Sequence, residues 1–330
     1  MRDSRDIILS VQDLVVSFTS DEGEVEVLDR IGFDLARGET LGIVGESGCG
    51  KSVAAFSIMR LLPQPSGNIS NGKVIYQGQD LLGLDVEDMH NIRGRKIAMI
   101  FQEPMTALNP VHRIGKQIAE VYQLHFPEMN NEEIRSACID ILTKVGIPAP
   151  EKRLREYPHQ LSGGMRQRTM IAMALACKPD VLIADEPTTA LDVTTQNQIL
   201  NLMKELQEEI GMSIIFITHD LGVIAETCDR VIVMYAGRIA EQASIEDLFH
   251  APRHPYTRGL LNSIPRLETQ AKSELQVIEG MVPSLNTLPS GCRFRTRCDY
   301  VSEKCAESSP DLVEADDHMV ACFNWRKLLR

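Results

Sequence analysis

The sequence predicts an α/β fold built around a parallel sheet, and three observations support this prediction. Residues 31–62 contain an apolar strand, a glycine-rich loop and a helical segment in immediate succession. Two further apolar runs, at 181–187 and 212–219, are separated by a helical stretch, an alternation typical of parallel strands joined by crossover helices. Residues from about 103 to 178 have helical spacing and few Val or Ile runs, so a mostly helical insertion is expected there.

The two ends of the chain differ in character. Residues 7–45 alternate apolar stretches with turn signals such as "SDEGE", which predicts several short strands. Beyond about residue 266 the sequence becomes rich in loop and turn residues, and four of the eight cysteines lie in this part. We therefore expect one large domain over 1–265, with a helical subdomain at about 103–178, and a small loop-rich extension over 266–330.

Composition and charge limit the function classes. The chain has 330 residues, 43% hydrophobic and 24% charged, and its net charge of −12 gives no support for a nucleic-acid-binding surface. The N-terminus lacks the apolar core of a signal peptide, and every apolar run is shorter than the roughly 18 residues that a membrane span needs. A soluble cytoplasmic chain is expected, and in that compartment thiols stay reduced.

The stretch "GESGCGKS" at 45–52 has the G-x-x-x-x-G-K-S spacing of a phosphate-binding loop. Its glycines let backbone N–H groups point at phosphates, Lys51 supplies a positive charge, and Ser52 is placed to ligate Mg²⁺. An ordinary glycine-rich turn is the alternative, but the strand before the loop and the helix after it favour a nucleotide site. The predicted nucleotide contacts are Gly45, Glu46, Ser47, Gly48, Cys49, Gly50, Lys51, Ser52 and Val53. Cys49, beside the nucleotide, is expected to be sensitive to alkylation.

A second acidic element, "VLIADEP" at 181–187, is an apolar strand that ends in two carboxylates. Asp185 is predicted to hold Mg²⁺, and Glu186 is predicted to polarise the attacking water. Acidic residues at a strand end are often solvated loop residues, but the phosphate loop in the same chain favours the catalytic interpretation.

The stretch "LSGGMRQ" at 161–167 resembles the signature of the ATP-binding subunits of ABC transporters, and the resemblance extends over residues 7–260. It implies an ABC-type P-loop ATPase with a parallel sheet core, an antiparallel β edge and a helical subdomain. In this family the signature completes the ATP site of the opposite subunit, and a following aspartate lies at the dimer seam. The residues that match these elements are Ser162, Gly163, Gly164, Gln167 and Asp192.

The resemblance implies three further contacts with nucleotide. Gln102 in "FQEP" matches the glutamine that senses Mg²⁺ and the γ-phosphate, and His219 in "ITHD" matches the histidine that contacts the γ-phosphate. Phe18 lies where the family places an aromatic ring against adenine, although a Phe at the end of an apolar strand can equally belong to the core. The predicted catalytic residues are thus Glu186, His219 and Gln102, and the predicted Mg²⁺ ligands are Ser52, Gln102 and Asp185.

The stretch "APRHPYTRGLLNSIP" at 251–265 is similar to the peptide-importer branch of the family. The implied function is to energise uptake of dipeptides or oligopeptides, with nickel chelates or oligosaccharides as alternative cargoes and a non-transport ABC ATPase as a more distant one. The implied partners are a second ATPase subunit, identical or paralogous, two integral membrane permease subunits and a substrate-binding protein, with no nucleic acid. The implied location is the cytoplasmic face of the inner membrane, as a peripheral subunit.

The C-terminal cysteines, Cys292, Cys298, Cys305 and Cys322, have the spacing C-x5-C-x6-C-x16-C. Zinc sites usually show closer pairs, and disulfides need an oxidising compartment. Four thiolates suit a [4Fe–4S] cluster, and the resemblance points the same way, because ATPases of the peptide-importer branch carry such a region. Iron–sulfur, zinc and free thiols stay open as alternatives, and a metal centre is expected to stabilise this core-poor extension.

Overall fold

A computed structural model describes residues 6–21, 23–102, 107–189, 191–264 and 277–329. Its strands are β1 Ile7–Ser20, β2 Gly23–Ala36, β3 Thr40–Val44, β4 Gly67–Tyr76, β5 Gln79–Asp80, β6 Ile97–Ile100, β7 Val181–Asp185, β8 Ser213–Ile217, β9 Arg230–Tyr235, β10 Arg238–Ser244, β11 Val313–Ala315 and β12 His318–Val320.

The helices of the described residues are α1 Lys51–Ile58, α2 Val86–Ile92, α3 Ile114–His125, α4 Asn131–Lys144, α5 Pro150–Arg153, α6 Gly163–Leu175, α7 Val193–Ile210, α8 Leu221–Thr227, α9 Ile245–His250, α10 Pro255–Asn262 and α11 Glu303–Glu307. Short 3-10 turns lie at Leu81–Gly83, Pro158–Gln160, Leu285–Thr287, Arg295–Arg297 and Trp325–Leu329. In the part of the chain that these elements span, no helix is both long enough and apolar enough to cross a membrane.

The chain divides into two compact units, and the first comprises residues 1–6, 36–39 and 83–217. In it, β6, β7 and β8 pair in parallel, with Ile97 opposite Val181 and Val181 opposite Ser213. All residues of these three strands are buried, as expected for parallel strands covered on both faces. Between β6 and β7 the described residues form helices α3 to α6, which agrees with the helical stretch expected from the sequence.

The second unit comprises residues 7–35, 40–82 and 218–330. Strands β2, β1, β4 and β5 form one sheet in that order, and β1 and β4 pair antiparallel. In the other sheet β3 pairs in parallel with β9, and β9, β10, β12 and β11 continue it as antiparallel neighbours. The α/β class, with parallel strands and an antiparallel β region, is therefore confirmed.

Two details differ from the sequence-based expectation. Residues 7–36 form two 14-residue strands rather than several short ones. Helix α1 ends at Ile58 rather than Leu62. Arg60 adopts a left-handed φ of 50°, and Pro63 disfavours a helical conformation at the residue before it. The C-terminal extension is loop-rich, as expected, and its described residues also include a small hairpin of β11 and β12 that pairs with β10. The expected boundary near residue 266 falls outside the described residues and stays a prediction.

Candidate functional site

The loop at 45–52 follows β3 in the second unit, and close packing explains its glycines. A Cβ on Gly45 would lie 2.3 Å from the Met234 carbonyl oxygen and 2.7 Å from Cys49 Sγ. Gly50 has a φ of 102° and caps helix α1, a conformation that other residues adopt only with strain. The sequence therefore forms a tight loop whose end is the positive N-terminus of a helix, an arrangement that binds anions.

Lys51 lies against the backbone of this loop. Its ammonium donates to the Gly45 carbonyl oxygen at 2.8 Å and to the Glu46 carbonyl oxygen at 3.3 Å, and the residue is 7% exposed. Ser52 and Val53 in the first turn of the helix are half-buried, while Ser47 and Gly48 are exposed. The loop can thus offer amide donors and one fixed cation to phosphate oxygens.

Cys49, which was expected to be sensitive to alkylation, is buried in the loop. It is 1% exposed, and burial raises the pKa of its thiol. Because the thiolate is the reactive form, the expected sensitivity of Cys49 to alkylation is not supported.

The acidic strand end lies in the first unit, where β7 ends at Asp185. This carboxylate is buried, with 2% of the residue exposed. Glu186 has a left-handed φ of 47°, rare for a residue with a side chain, and its N–H donates to the Ile217 carbonyl oxygen at 2.8 Å. Strained backbone of this kind concentrates at functional sites.

Two side chains donate to the Glu186 carboxylate. Gln102 Nε2 lies 3.1 Å from Oε2, and Thr189 Oγ1 lies 2.9 Å from the same oxygen. The structure thus brings together two of the predicted catalytic residues, Gln102 and Glu186. Thr189 was missed by sequence reasoning, although a hydroxyl three residues after a carboxylate in a turn is a detectable signal. These two hydrogen bonds fix the orientation of the Glu186 carboxylate.

The predicted signature also lies in the first unit, at the start of α6. Ser162 caps this helix by accepting from Met165 N at 3.3 Å, and both Ser162 and Gly163 are exposed. A Cβ on Gly164 would lie 2.9 Å from the Thr195 methyl. Gln167 is 2% exposed and donates to the Pro187 carbonyl oxygen, so its side chain connects the signature helix to the turn after Glu186.

Asp192 caps helix α7. Its carboxylate accepts from the Thr195 N–H at 3.0 Å and from the Thr195 hydroxyl at 2.7 Å. The side-chain hydrogen bond from Thr195, followed by its backbone hydrogen bond, lowers the pKa of Asp192. The carboxylate is therefore ionised and oriented at neutral pH.

Two predicted contacts remain in the second unit. His219 is exposed, and it follows Thr218, whose N–H donates to the Ile43 carbonyl oxygen in β3 at 3.2 Å. Phe18 is half-buried opposite Gly67 in the β1–β4 pair, and its ring would lie 3.2 Å from a Cβ at Gly67. Both positions keep an accessible face, so the predicted roles of these two residues stay open to test.

Comparison with known proteins identifies the family. The ABC transporter model matches residues 28–189, and the model for the C-terminal region of oligopeptide/dipeptide transporters matches residues 240–305. The chain belongs to the ABC transporter ATP-binding proteins. It is 53% identical to the probable peptide ABC transporter ATP-binding protein y4tR of Sinorhizobium fredii, covering 97% of this chain and 95% of that protein.

Two other comparisons agree. The oligopeptide transport ATP-binding protein OppD of Bacillus subtilis is 51% identical, covering 94% of this chain and 86% of that protein. A dimeric ATP-binding cassette solved with ADP and Pi is 28% identical and has a TM-score of 0.64, covering 72% of this chain and 98% of that chain. The predicted fold, the predicted family and the transport-coupled ATPase are confirmed at this level, and the family implies permease partners and dimerisation.

The C-terminal extension of this ABC ATPase places its four cysteines around one small cavity. Cys292, Cys298, Cys305 and Cys322 all line it, together with Phe294 and Phe323. Burial raises the pKa of Cys298 to about 11 and that of Cys322 to about 12, so without a nearby cation these thiols stay protonated. Across the described ranges, however, no three His, Cys, Asp or Glu side chains are grouped to hold a metal ion. The four thiols share one cavity and are the donor type of an iron–sulfur site, but they are not grouped there as metal ligands.

The same extension contacts other residues of the second unit through a buried pair that the sequence did not predict. His318 Nδ1 lies 2.8 Å from Glu241 Oε1, with side-chain exposures of 2% and 0%. The Glu241 carboxylate also accepts from the backbone N–H groups of Arg253 and His254. These contacts attach β12 to the segment before α10.

Proposed function

We propose that the chain hydrolyses ATP to energise the import of dipeptides or oligopeptides through separate membrane subunits. The peptide cargo is supported by the match of residues 240–305 to a peptide-transporter region and by the names of the relatives. The observation that carries the catalytic part is the Glu186 carboxylate, held by Gln102 and Thr189 on a strained backbone after a buried strand.

Within the second unit, the loop at 45–53 binds the phosphates. Lys51 supplies the cation, Ser52 supplies a hydroxyl for Mg²⁺, and His219 contacts the γ-phosphate. Phe18 offers its ring to adenine. The tight glycine loop and the helix N-terminus support this assignment, because both direct positive potential at an anion.

Within the first unit, Glu186 accepts a proton from the attacking water, and Gln102 orients the carboxylate. Asp185 and Gln102 present the oxygen atoms that Mg²⁺ prefers, and bound Mg²⁺ neutralises charge on the phosphates. The position of Asp185 at the carboxyl end of the buried strand β7, directly before Glu186, supports this ligand role.

The signature acts in a second copy or a paralogue. Ser162, Gly163 and Gly164 at an exposed helix start present donors to the γ-phosphate bound by the partner subunit, and Asp192 lies at the seam between the two. Gln167 stabilises the signature helix by donating a hydrogen bond to the Pro187 carbonyl oxygen. The full assembly contains two permease subunits and a substrate-binding protein, and the ATPase sits on the cytoplasmic face of the inner membrane.

Substitution of Glu186 tests the catalytic assignment. Glu186→Gln keeps the shape and loses the base, so phosphate release should fall by about 100-fold or more while ATP still binds. Glu205→Gln, at an exposed position of α7, is the matched control and should leave activity unchanged. Wild-type activity in Glu186→Gln would contradict the assignment of the base.

Reconstitution tests the cargo. ATP hydrolysis should rise when the chain, its membrane subunits and a binding protein loaded with a di- or oligopeptide are combined in proteoliposomes. The same binding protein without peptide, or offered a nickel chelate or an oligosaccharide, should stimulate less. Stimulation by one of these alternative cargoes and not by peptide would replace the peptide assignment.

We further propose that the extension binds a [4Fe–4S] cluster through four thiolates, those of Cys292, Cys298, Cys305 and Cys322. Its support is that all four thiols line one cavity and that such a cluster takes four cysteine ligands. Protein purified without oxygen should contain iron and absorb in the visible range, and Cys298→Ser should lose both while Cys138→Ser keeps them. Zinc without iron, or no metal, would contradict the cluster.

A further inference from the structure

The C-terminal extension contacts the phosphate loop directly through one ion pair. Arg297 Nη1 donates to Glu46 Oε2 at 2.8 Å, and Arg297 Nη2 donates to Glu46 Oε1 at 3.2 Å. The two residues are 251 positions apart in the sequence. This two-point pairing of a guanidinium with a carboxylate is the strong form of such an interaction.

Contacts other than the one with Glu46 also hold the Arg297 side chain in place. Nε donates to the Glu279 carbonyl oxygen at 3.0 Å, Nη2 donates to the Ile278 carbonyl oxygen at 3.2 Å, and the guanidinium lies 5.9 Å from the centre of the Tyr235 ring. Only 4% of its side chain is exposed, against 32% for Glu46. A buried cation with this many fixed partners loses little conformational freedom in pairing with the loop.

Glu46 is also held through its backbone. Its N–H donates to the Tyr256 hydroxyl oxygen at 3.0 Å, and Tyr256 is fully buried. The Tyr256 ring contacts Phe294 of the extension at 5.4 Å between ring centres. The extension thus contacts the side chain of Glu46 directly and its backbone indirectly, through Tyr256.

The charge at this position matters because the loop must attract phosphate. The Glu46 carbonyl oxygen lies 3.3 Å from Lys51 Nζ, so the residue that carries the carboxylate also contacts the cation of the loop. A carboxylate without its partner would repel phosphate and compete for the Lys51 ammonium. The Arg297 pair cancels this negative charge.

We propose that Arg297 is a positioning residue for the phosphate loop, which neutralises Glu46 and so makes ATP affinity depend on the docked extension. This inference rests on the proposed function, because it takes the loop as the ATP site.

Binding of a fluorescent ATP analogue with Mg²⁺ to the full chain tests the proposal. Arg297→Gln should raise the Kd by about fivefold or more, a typical coupling between two sites, and the effect should shrink at high salt. Adding Glu46→Gln to Arg297→Gln should restore the affinity to within about twofold, because the repelling carboxylate is gone. Arg297→Lys, which keeps the charge, should lie between wild type and Arg297→Gln.

Two further variants separate this role from a merely structural one. Arg295 lies in the same 3-10 turn as Arg297, but it donates to Ser290 within the extension. Arg295→Gln should therefore bind the ATP analogue with the wild-type Kd. Glu46→Gln alone removes the negative charge but keeps an amide oxygen that can accept from Arg297. It should bind ATP at least as tightly as the wild type, a result that does not depend on the folding of Arg297→Gln.

The outcomes are distinguishable. A wild-type Kd in Arg297→Gln, a double variant as weak as Arg297→Gln, or weaker binding in Glu46→Gln each overturns the role of Arg297. Failure of the wild-type chain to bind the ATP analogue would instead overturn the proposed function.

Discussion

Thr189 and Gln102 donate to the same carboxylate oxygen of Glu186, at 2.9 Å and 3.1 Å. Such a carboxylate is oriented by its neighbours as well as by its own backbone. The Glu186 backbone, with its left-handed φ of 47°, sets the direction of the side chain. If either donor were removed, the carboxylate could rotate away from this direction.

Thr189→Val should therefore lower kcat with little change in KM. The substitution keeps the branched shape and removes one hydrogen bond of about 1 kcal/mol, which corresponds to a fall of about fivefold. Thr194→Val, at an exposed position in the first turn of α7, is the control and should behave as wild type. Steady-state kinetics of phosphate release measure both, and an equal rise in KM would point to nucleotide binding instead.

Gly45→Ala should weaken ATP binding by about tenfold or more. The added Cβ would lie 2.3 Å from the Met234 carbonyl oxygen, and such overpacking costs about 1–3 kcal/mol. Gly83→Ala is the matched control, because nothing lies within 4 Å of its Cβ. Titration with a fluorescent ATP analogue checks the pair, and equal affinity in both variants would show that the loop backbone adjusts freely.

Stability should decrease on acidification because of His254. Burial lowers the pKa of His254 from 6.5 to about 4, and its Nδ1 accepts from Tyr256 N. Between these two pH values the unfolded chain binds a proton that the folded chain excludes, so the unfolding free energy falls as pH decreases from 6.5 to 4. The loss amounts to about 3 kcal/mol.

Hydrogen exchange of the extension, compared at pH 7 and pH 4.5, measures this effect. His254→Asn should show a smaller loss of protection over that window, since it has no ring to protonate. His250→Asn, at an exposed position, should keep the wild-type pH dependence. An identical pH profile in His254→Asn would assign the acid sensitivity to other groups.

The thiol of Cys298 should react slowly with iodoacetamide in metal-free protein. Its pKa of about 11 instead of 9.0 reduces the thiolate fraction at pH 7.5 by about 100-fold. An exposed cysteine introduced by Asp311→Cys serves as the reactive control, and unfolding in urea should abolish the difference. Mass spectrometry after timed alkylation reports each site, and equal rates in the folded chain would contradict the burial of Cys298.

The phosphate loop and the acidic strand end were predictable because the residues that form each of them are consecutive in the sequence. The phosphate loop needs glycine at Gly45 and Gly50, and the strand ending in Asp185 and Glu186 shows as an apolar run followed by acids. These signals require no knowledge of distant contacts.

The remaining features depend on residues that lie far apart in the chain. Arg297 reaches Glu46 over 251 positions, and His318 reaches Glu241 over 77. Neither pair carries a local pattern, because an arginine or a histidine in a loop-rich segment is usually solvated. The left-handed backbone of Glu186 is likewise set by a tertiary hydrogen bond to the Ile217 carbonyl oxygen.

The small hairpin of β11 and β12 has a consequence for the solubility of shortened chains. β12 hydrogen-bonds to the outer side of β10, and among the described strands the three-residue β11 lies beyond it at the edge of the sheet. Without the extension, the seven-residue β10 would present open N–H and C=O groups to other molecules. The hairpin therefore ends the growth of the sheet, and a chain cut near residue 266 would tend to assemble edge to edge into aggregates.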